Sequence, residues 1–192
     1  EILNDKQLLG IKFYDDILAR IPRGEIIELE KILKKVLKKV DPRAELTIAG
    51  SYRRGKSESG DIDVLLKSKD KKTYNKFIEE LVKIKYLYPE HLALGPKKYN
   101  GLAIIPSCVI HRRIDIMYTT EEEYPFAILY FTGSGEFNVR MREDALKQGY
   151  TMNEYGIKHS DTGAIVDKVF HEENEIFKFL GYEYLNPEDR LQ

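Results

Sequence analysis

The sequence feature that most constrains the fold is an apolar run that begins with two aspartates, GDIDVLL at residues 60–66. Its aliphatic residues are typical of a buried β-strand, and residues two apart in a strand point to the same side of a sheet. Asp61 and Asp63 are therefore predicted to face one side, about 7 Å apart along the chain. An isolated Asp-x-Asp at the start of a strand more often marks a solvated turn, so a functional interpretation needs further evidence.

A second apolar segment, residues 108–119, is also predicted to form a strand and carries Asp115 at its centre. If the two strands pair, three carboxylates converge, with Arg113 on the same face as Asp115. Like charges roughly 4 Å apart repel by about 4 kcal/mol per pair at an effective dielectric constant near 20. Such a cluster must be protonated, dispersed or neutralised. Two Mg²⁺ ions would neutralise it and hold the attacking and leaving oxygens of a phosphoryl displacement.

A glycine-serine turn precedes the aspartates: Gly50 and Ser51 are followed by nine residues and then by Asp61. Such a turn offers backbone N–H groups and a hydroxyl to an anion. Arg53 and Arg54 can add charge-assisted hydrogen bonds to phosphate oxygens. A phosphate-binding turn beside a carboxylate pair is typical of a site that binds a nucleoside triphosphate through a metal ion.

Charge and cysteine content limit the possible partners and compartments. The 192 residues carry a formal net charge of −1, so any nucleic-acid interface is expected to be local. The single cysteine, Cys108, cannot form an intrachain disulfide, which favours a reducing, intracellular compartment. No apolar segment approaches the ~20 residues of a membrane-spanning helix, so no membrane partner is expected.

Hydrophobic periodicity predicts an α+β fold, with a sheet-rich part up to about residue 121 and a smaller second part. The predicted helices cover residues 5–21, 25–40, 72–84, 121–133, 135–149 and 172–181, and the predicted strands cover 44–50, 61–68 and 108–119. Hairpins are predicted at 86–106 and 150–170, the second turning at Asp161-Thr162-Gly163. The lysines of the 25–40 helix are typical of a solvated face, with phosphate contacts as the alternative.

Five motifs occur in order along the chain: GSYRRGKSESGDIDVLL, HRRIDI, LYFTGSGEFNVRMR, YTMNEYGI and GYEYLNPEDR. From about residue 10 onward, the chain resembles the catalytic region of family X DNA polymerases of the beta and lambda kind, in the nucleotidyltransferase superfamily. The resemblance implies a palm subdomain at residues 21–121, a mixed β-sheet with helices packed on one face. It also implies a small α+β nucleotide-selecting subdomain at 122–192, and it makes residues 1–20 the remnant of a preceding helical region.

The resemblance assigns the metal-binding and catalytic roles to the carboxylates. Asp61 and Asp63 match the pair that binds two Mg²⁺ ions, for which Mn²⁺ is a possible substitute. Asp115 matches a third ligand, which also accepts the proton of the primer 3′-hydroxyl. Arg113 is expected to keep Asp115 ionised and to contact the primer backbone.

The same resemblance implies contacts to nucleotide and DNA. The expected nucleotide-binding residues are Gly50, Ser51, Arg54, Gly60, Asp61, Asp63, Tyr130, Phe131, Gly133 and Asn138. The expected DNA-binding residues are Arg113, Tyr130, Arg142, Glu154 and Tyr155. Without the surrounding motif, Tyr130 and Phe131 would indicate ordinary packing at a helix end. Asn138 and Arg142 would likewise indicate a solvated helix face, because residues four apart share a face.

The function implied is that of a DNA-directed DNA polymerase of the gap-filling type, acting in DNA repair such as base excision repair. It would add dNTPs to a primer 3′-OH on primer–template or gapped DNA by two-metal-ion nucleotidyl transfer. A monomer is expected, located in the nucleus of a eukaryote or in the cytoplasm for a viral or bacterial protein.

Two other functions stay open. A template-independent terminal transferase usually has Gly-Trp where this chain has Tyr130-Phe131. A non-catalytic DNA-end binding module need not keep a repulsive carboxylate triad.

The chain departs from the family pattern at three places. Gly135 stands where polymerase beta has an aspartate near the incoming base, so weaker nucleotide contacts are expected. Met117 stands where polymerase beta has an arginine, so the salt bridge that this arginine makes during closure is not expected. The N-terminal lyase domain and most of the helix-hairpin-helix region have no match, so no 5′-deoxyribose phosphate lyase activity and low DNA affinity are expected.

Overall fold

A computed structural model describes residues 2–191, so Glu1 and Gln192, which the predicted ranges 1–20 and 122–192 include, lie outside the described residues. The helices are α1 (Asp5–Lys12), α2 (Tyr14–Leu18), α3 (Arg23–Val40), α4 (Gly50–Arg53), α5 (Lys72–Lys83), α6 (Tyr124–Thr132), α7 (Gly135–Lys147) and α8 (Glu173–Phe179), followed by a 3₁₀ turn (Pro187–Asp189). The strands are β1 (Ile21–Pro22), β2 (Glu45–Ile48), β3 (Glu58–Ser59), β4 (Ile62–Lys67), β5 (Ala93–Leu94), β6 (Lys98–Ala103), β7 (Arg112–Thr119), β8 (Tyr150–Asn153) and β9 (Gly156–His159). Across residues 2–191, no helix has the length and apolar character needed to cross a membrane.

The central sheet is mixed and has five strands in the order β2-β4-β7-β6-β5. Antiparallel pairing joins β2 to β4 and β6 to β7, whereas β4 and β7 run parallel. Parallel neighbours require a long crossover connection, which here contains α5 and the β5–β6 hairpin. The parallel register places Asp63 directly opposite Asp115, so the pairing on which the predicted convergence depended is present.

Helices α3 and α5 cover one face of this sheet. Their buried side chains recur every three to four residues, which gives each helix one apolar face. The sheet contributes Val64, Leu66, Ile114 and Ile116 to the same cluster. Burial of each such aliphatic side chain stabilises the fold by about 1.5–3 kcal/mol. Since side chains alternate in a strand, this packing turns Asp63 and Asp115 to the opposite face.

Helix α6 packs on the face of the sheet that carries the carboxylates. It is apolar almost all round, which is typical of a helix buried on several sides. Ala127 and Ile128 contact Leu65 and Met117 of the sheet, whereas Phe126 belongs to a second cluster with α7, α8 and the β8–β9 hairpin. The sheet and this second cluster therefore meet through α6. The predicted α+β class is confirmed.

Three predicted elements differ from the structure. The 5–21 helix is two helices, α1 and α2, and Ile21 instead pairs with Ser59 between β1 and β3. The strand predicted from residue 108 begins at Arg112. The hairpin predicted over residues 150–170 reverses twice. The predicted turn at 161–163 is present, with an antiparallel bridge between Lys158 and Ile165, and a second turn between Asn153 and Gly156 joins β8 to β9.

Candidate active site

Three carboxylates form the centre of the site. Asp63 on β4 and Asp115 on β7 are directly opposite each other, and Asp61 immediately precedes β4. One oxygen from each of the three groups lies within 4.8 Å of the others. The three charges are therefore close together. Because all three residues are half-buried, water screens these charges only partly.

Burial and the repulsion of neighbouring carboxylates disfavour the ionised forms of Asp63 and Asp115. Burial, followed by the charges of Asp61 and Asp115, raises the pKa of Asp63 to about 8. Burial also raises the pKa of Asp115, and the lowering contributions of Asn100 and Arg113 do not offset it. The charge of Arg113 acts in the predicted direction, because it lowers the pKa of Asp115, whereas burial has the larger and opposite effect.

The donor set fits a hard divalent cation. Carboxylate oxygens are the ligands that Mg²⁺ and Mn²⁺ prefer, and the cluster holds excess negative charge at one point. Asp61, Asp63 and Asp115 are therefore the residues that could hold metal. A cation at this point would lower the free energy of the ionised carboxylates.

We expect Asp63→Asn to stabilise the protein in the absence of metal. The folded-state pKa of about 8 lies above the ordinary value, so folded Asp63 binds its proton more tightly than the unfolded chain does. Stability is therefore lost as the pH rises from about 4 to 8, and at pH 8 the substitution should restore on the order of 1–3 kcal/mol. Urea unfolding in EDTA at several pH values measures this. A wild-type stability that does not fall over this interval would contradict the expectation.

Gly50 allows the phosphate-binding turn to approach the carboxylates closely. It begins α4 directly after β2 and has φ +58°, a left-handed conformation that favours glycine. A Cβ atom at this position would overlap the Asp63 carboxylate. The Ala49 N–H also donates to the Asp63 backbone oxygen over 2.7 Å. Gly50 is thus required for both the backbone conformation and the position of Asp63.

Gly50→Ala is expected to cost about 1–3 kcal/mol of stability, because alanine is strained in the left-handed region. It should also weaken metal binding, since the new methyl group displaces the Asp63 carboxylate. Gly24→Ala is the matched control: this glycine lies inside α3 with no atom within 4 Å of a Cβ position, so alanine there should be neutral or stabilising. Thermal unfolding with and without Mn²⁺ separates the two effects, and equal behaviour of the two variants would contradict this account.

The other residues of the predicted phosphate-binding turn are held from two sides. The Ser51 hydroxyl donates to Ser59 Oγ over 2.7 Å, which fixes the turn against β3. Arg54 Nη1 donates to the Thr132 carbonyl oxygen over 2.6 Å at the end of α6. A Cβ on Gly133 would lie 3.3 Å from Arg54 Nη1, so the glycine leaves room for the guanidinium. Gly60 adjoins Asp61 and lies beside the Arg20 guanidinium.

An open cavity of about 450 Å³ joins these groups to α6 and α7. Nine of the predicted nucleotide-binding residues line it: Gly50, Ser51, Arg54, Asp61, Asp63, Tyr130, Phe131, Gly133 and Asn138. Arg142, predicted to bind DNA, also lines the cavity, as do three residues that were not predicted to bind: Thr132, Gly135 and Val139. Asn138 donates from Nδ2 to the Tyr130 carbonyl oxygen over 2.8 Å, which ties α7 to α6 at the cavity wall.

Glu154 and Tyr155, two predicted DNA-binding residues outside this cavity, have partners of their own. Glu154 lies in the β8–β9 turn, where its carboxylate is 2.9 Å from Lys98 Nζ and 3.5 Å from Arg142 Nη2. Arg142 also lies over the Tyr130 ring, 4.9 Å from its centroid. Tyr155 is 38% exposed, and its ring packs against Lys97. Glu154 therefore links the sheet hairpin to α7, an arrangement with no signal in the sequence.

A buried ion-pair cluster supports the turn from behind. Glu173, at the start of α8, accepts from both Arg53 and Arg190, each with a closest contact of 2.8–2.9 Å. Arg53 also donates to Thr132 Oγ1 over 2.8 Å. The adjacent arginines thus divide their roles, with Arg54 lining the cavity and Arg53 joining the turn to α8. Sequence reasoning grouped both arginines as phosphate contacts and missed Glu173, Arg190 and Thr132.

Comparison with known proteins agrees with this arrangement. The chain matches the family model of the DNA polymerase beta palm over residues 20–121 and that of the DNA polymerase beta thumb over residues 127–191. It is 31% identical over 209 residues to DNA polymerase lambda of Arabidopsis thaliana, an alignment that covers 98% of this chain and 40% of that protein. It is also 31% identical over 205 residues to DNA polymerase lambda of Rattus norvegicus, covering 98% of this chain and 36% of that protein.

A bacterial relative is similar over a large part of the chain. DNA polymerase/3′-5′ exonuclease PolX of Bacillus subtilis is 28% identical over 171 residues, covering 89% of this chain and 28% of that protein. The chain thus spans less than half the length of each of these curated relatives. The two family matches identify the fold as a palm followed by a thumb. The palm match alone covers more than half of the chain, which therefore belongs to the family X DNA polymerases, as the motifs predicted.

Proposed function

We propose that this chain is a DNA-directed DNA polymerase of the gap-filling repair type, which adds dNTPs to a primer 3′-OH. The observation that carries the proposal is the carboxylate triad next to a cavity lined by the Gly50–Arg54 turn. Membership of family X and the polymerase names of its relatives support the reaction class. The predicted subdivision into a palm at 21–121 and a nucleotide-selecting part at 122–192 belongs to the same proposal.

The carboxylates would hold two Mg²⁺ ions, with Mn²⁺ as a substitute. When bound, the metals supply positive charge that lowers the pKa of the primer hydroxyl and neutralises the triphosphate. Asp61 and Asp63, next to the turn, would bind on the triphosphate side. Asp115 would face the primer terminus and accept the hydroxyl proton, and Arg113 on the same strand face would contact the primer backbone.

The phosphates would be bound by Ser51, Arg54 and the backbone of Gly60. Arg54 is already oriented by Thr132, so little conformational freedom would be lost on binding. Tyr130 and Phe131 would lie against the sugar of the incoming nucleotide and disfavour a 2′-hydroxyl. Asn138 and Arg142 would contact the minor-groove edge, where acceptors are common to all base pairs, so that pair geometry rather than sequence is tested.

Primer extension tests the proposal directly. Gapped, recessed and single-stranded primers are each incubated with Mg²⁺ and single dNTPs. Template-dependent addition on the gapped and recessed substrates is expected. Extension of the single-stranded primer alone would instead support a terminal transferase, and binding of DNA ends without incorporation would support a non-catalytic module.

A further inference from the structure

Asn100 continues a row of side chains that crosses the sheet at the active site. The strand register places Asn100 on β6 opposite Asp115 on β7, and Asp115 opposite Asp63 on β4. Directly opposite residues on one face of a sheet have Cβ atoms about 4.5–5.5 Å apart. Asn100 therefore borders Asp115 on the side away from Asp63. Across the sheet, the order of the three side chains is Asp63, Asp115 and Asn100.

The amide makes a direct contact with the carboxylate. Asn100 Nδ2 donates to Asp115 Oδ1 over 2.6 Å. Asp63, by contrast, faces the like charge of Asp61 within the acidic cluster. A carboxylate has two oxygens, so Asp115 can accept from Asn100 with one and still offer the other to a metal ion or a proton.

Asn100 also borders unfilled space beside Asp115. A cavity of about 170 Å³ is lined by Asn100, Asp115, Tyr130 and Phe131, among others. Asn100 is half-buried, so water competes less for its N–H donor than at an exposed position. The hydrogen bond can therefore restrict the rotation of the Asp115 side chain next to the place where a primer terminus would enter.

We propose that Asn100 is a positioning residue for nucleotidyl transfer, which holds Asp115 in the orientation that the metal ion and the primer hydroxyl require. This inference rests on the proposed polymerase function. Hydrogen-bond partners of metal-binding side chains typically affect metal affinity or activity by about 10–100-fold. Asn100 acts through Asp115 and is not itself a metal ligand or a proton acceptor.

Two substitutions at Asn100 test this role. Asn100→Leu keeps the branched shape and removes the donor. Asn100→Asp keeps the shape but places a fourth carboxylate opposite Asp115. Asn75→Leu, on the exposed surface of α5, is the matched control. Mn²⁺ affinity is measured on the protein alone by electron paramagnetic resonance, and single-turnover incorporation gives the maximal rate and the apparent dNTP affinity.

We expect Asn100→Leu to weaken Mn²⁺ binding or slow incorporation by about 10–100-fold, while the apparent dNTP affinity changes little because the phosphates bind elsewhere. Asn100→Asp should slow incorporation without weakening Mn²⁺ binding. If Asn100 served folding alone, the substitutions would lower the melting temperature, and the folded protein would show no selective loss of incorporation rate at unchanged dNTP affinity. The proposal is overturned if the folded Asn100 variants bind Mn²⁺ and incorporate nucleotide like Asn75→Leu.

The metal titration also separates this inference from the proposed function. If Asn100→Leu fails to fold, the incorporation rate of Asn100→Asp is compared with that of the wild type. A slower rate supports the positioning role, and an equal rate contradicts it. If the wild-type protein incorporates no nucleotide but Asn100→Leu still weakens Mn²⁺ binding, the polymerase proposal fails while the positioning of Asp115 stands. If the wild-type protein incorporates nucleotide and both Mn²⁺ binding and incorporation are normal in every Asn100 variant, only the positioning role is lost.

Discussion

Asp115→Asn is expected to reduce nucleotide incorporation by at least about a thousandfold, because it removes a metal-binding charge and the proposed acceptor of the primer proton. The substitution keeps the shape of the side chain, and its carbonyl oxygen can still accept from Asn100 across β6 and β7. The sheet should therefore remain intact. Single-turnover primer extension in Mg²⁺ measures the loss, and fluorescence anisotropy with labelled gapped DNA measures binding.

DNA binding should change little in this variant, since Asp115 is not among the positive groups that would contact phosphates. Asp167→Asn provides a matched control, because Asp167 is exposed in the segment after β9. Incorporation by the control should equal that of the wild type. Retention of substantial incorporation by Asp115→Asn would show that the triad is not the catalytic centre.

Glu173→Ala is expected to destabilise the protein by about 3–5 kcal/mol, because it leaves two arginines without their buried counter-charge. Glu173 is 6% exposed and Arg190 is fully buried, so water cannot replace the lost carboxylate. For a chain of this size the loss corresponds to a fall in Tm of roughly 10 °C. Differential scanning calorimetry checks the value. Glu172→Ala, at the exposed neighbouring position, should change stability by less than about 0.5 kcal/mol.

The effect of Glu173→Ala should also depend on pH. Burial raises the pKa of Glu173, but the hydrogen bonds and charges of Arg190 and Arg53 outweigh burial and leave it below its ordinary value. The stabilisation is therefore present above the unfolded pKa of about 4.3 and is lost as the pH falls through the lower folded pKa. The difference in Tm between wild type and variant should shrink below about pH 4. A constant difference down to pH 2 would assign the loss to packing alone.

The convergence of the carboxylates could be predicted because each aspartate interrupts an apolar strand. In such a strand, burial of the aliphatic residues fixes the side on which the alternate residues lie. Asp63 and Asp115 therefore had to share a face once β4 and β7 paired. Their parallel direction could not be read from periodicity, since the same alternation suits an antiparallel pair.

Residues that act through tertiary contacts were not predictable in the same way. Asn100 lies opposite Asp115 only because of the β6–β7 register, and Glu173 meets Arg53 across 120 positions of sequence. The β8–β9 turn was missed because Asp161-Thr162-Gly163, where the chain also turns, has a stronger turn propensity than the segment after Asn153. The sequence offered one signal for Asn100: it is a polar residue in a hairpin whose other residues mostly form the core. That pattern could have indicated a role at the carboxylate face of the sheet.

The parallel pairing of β4 with β7 also affects when the site can exist. The chain between Asp63 and Asp115 contains α5 and the β5–β6 hairpin, so the two parts of the triad are distant in sequence. Contacts with such separation form late, because loop closure must come before the stabilisation they provide. A growing or locally unfolded chain thus keeps Asp115 apart from Asp61 and Asp63, and the complete set of three carboxylates forms only when β4 and β7 pair.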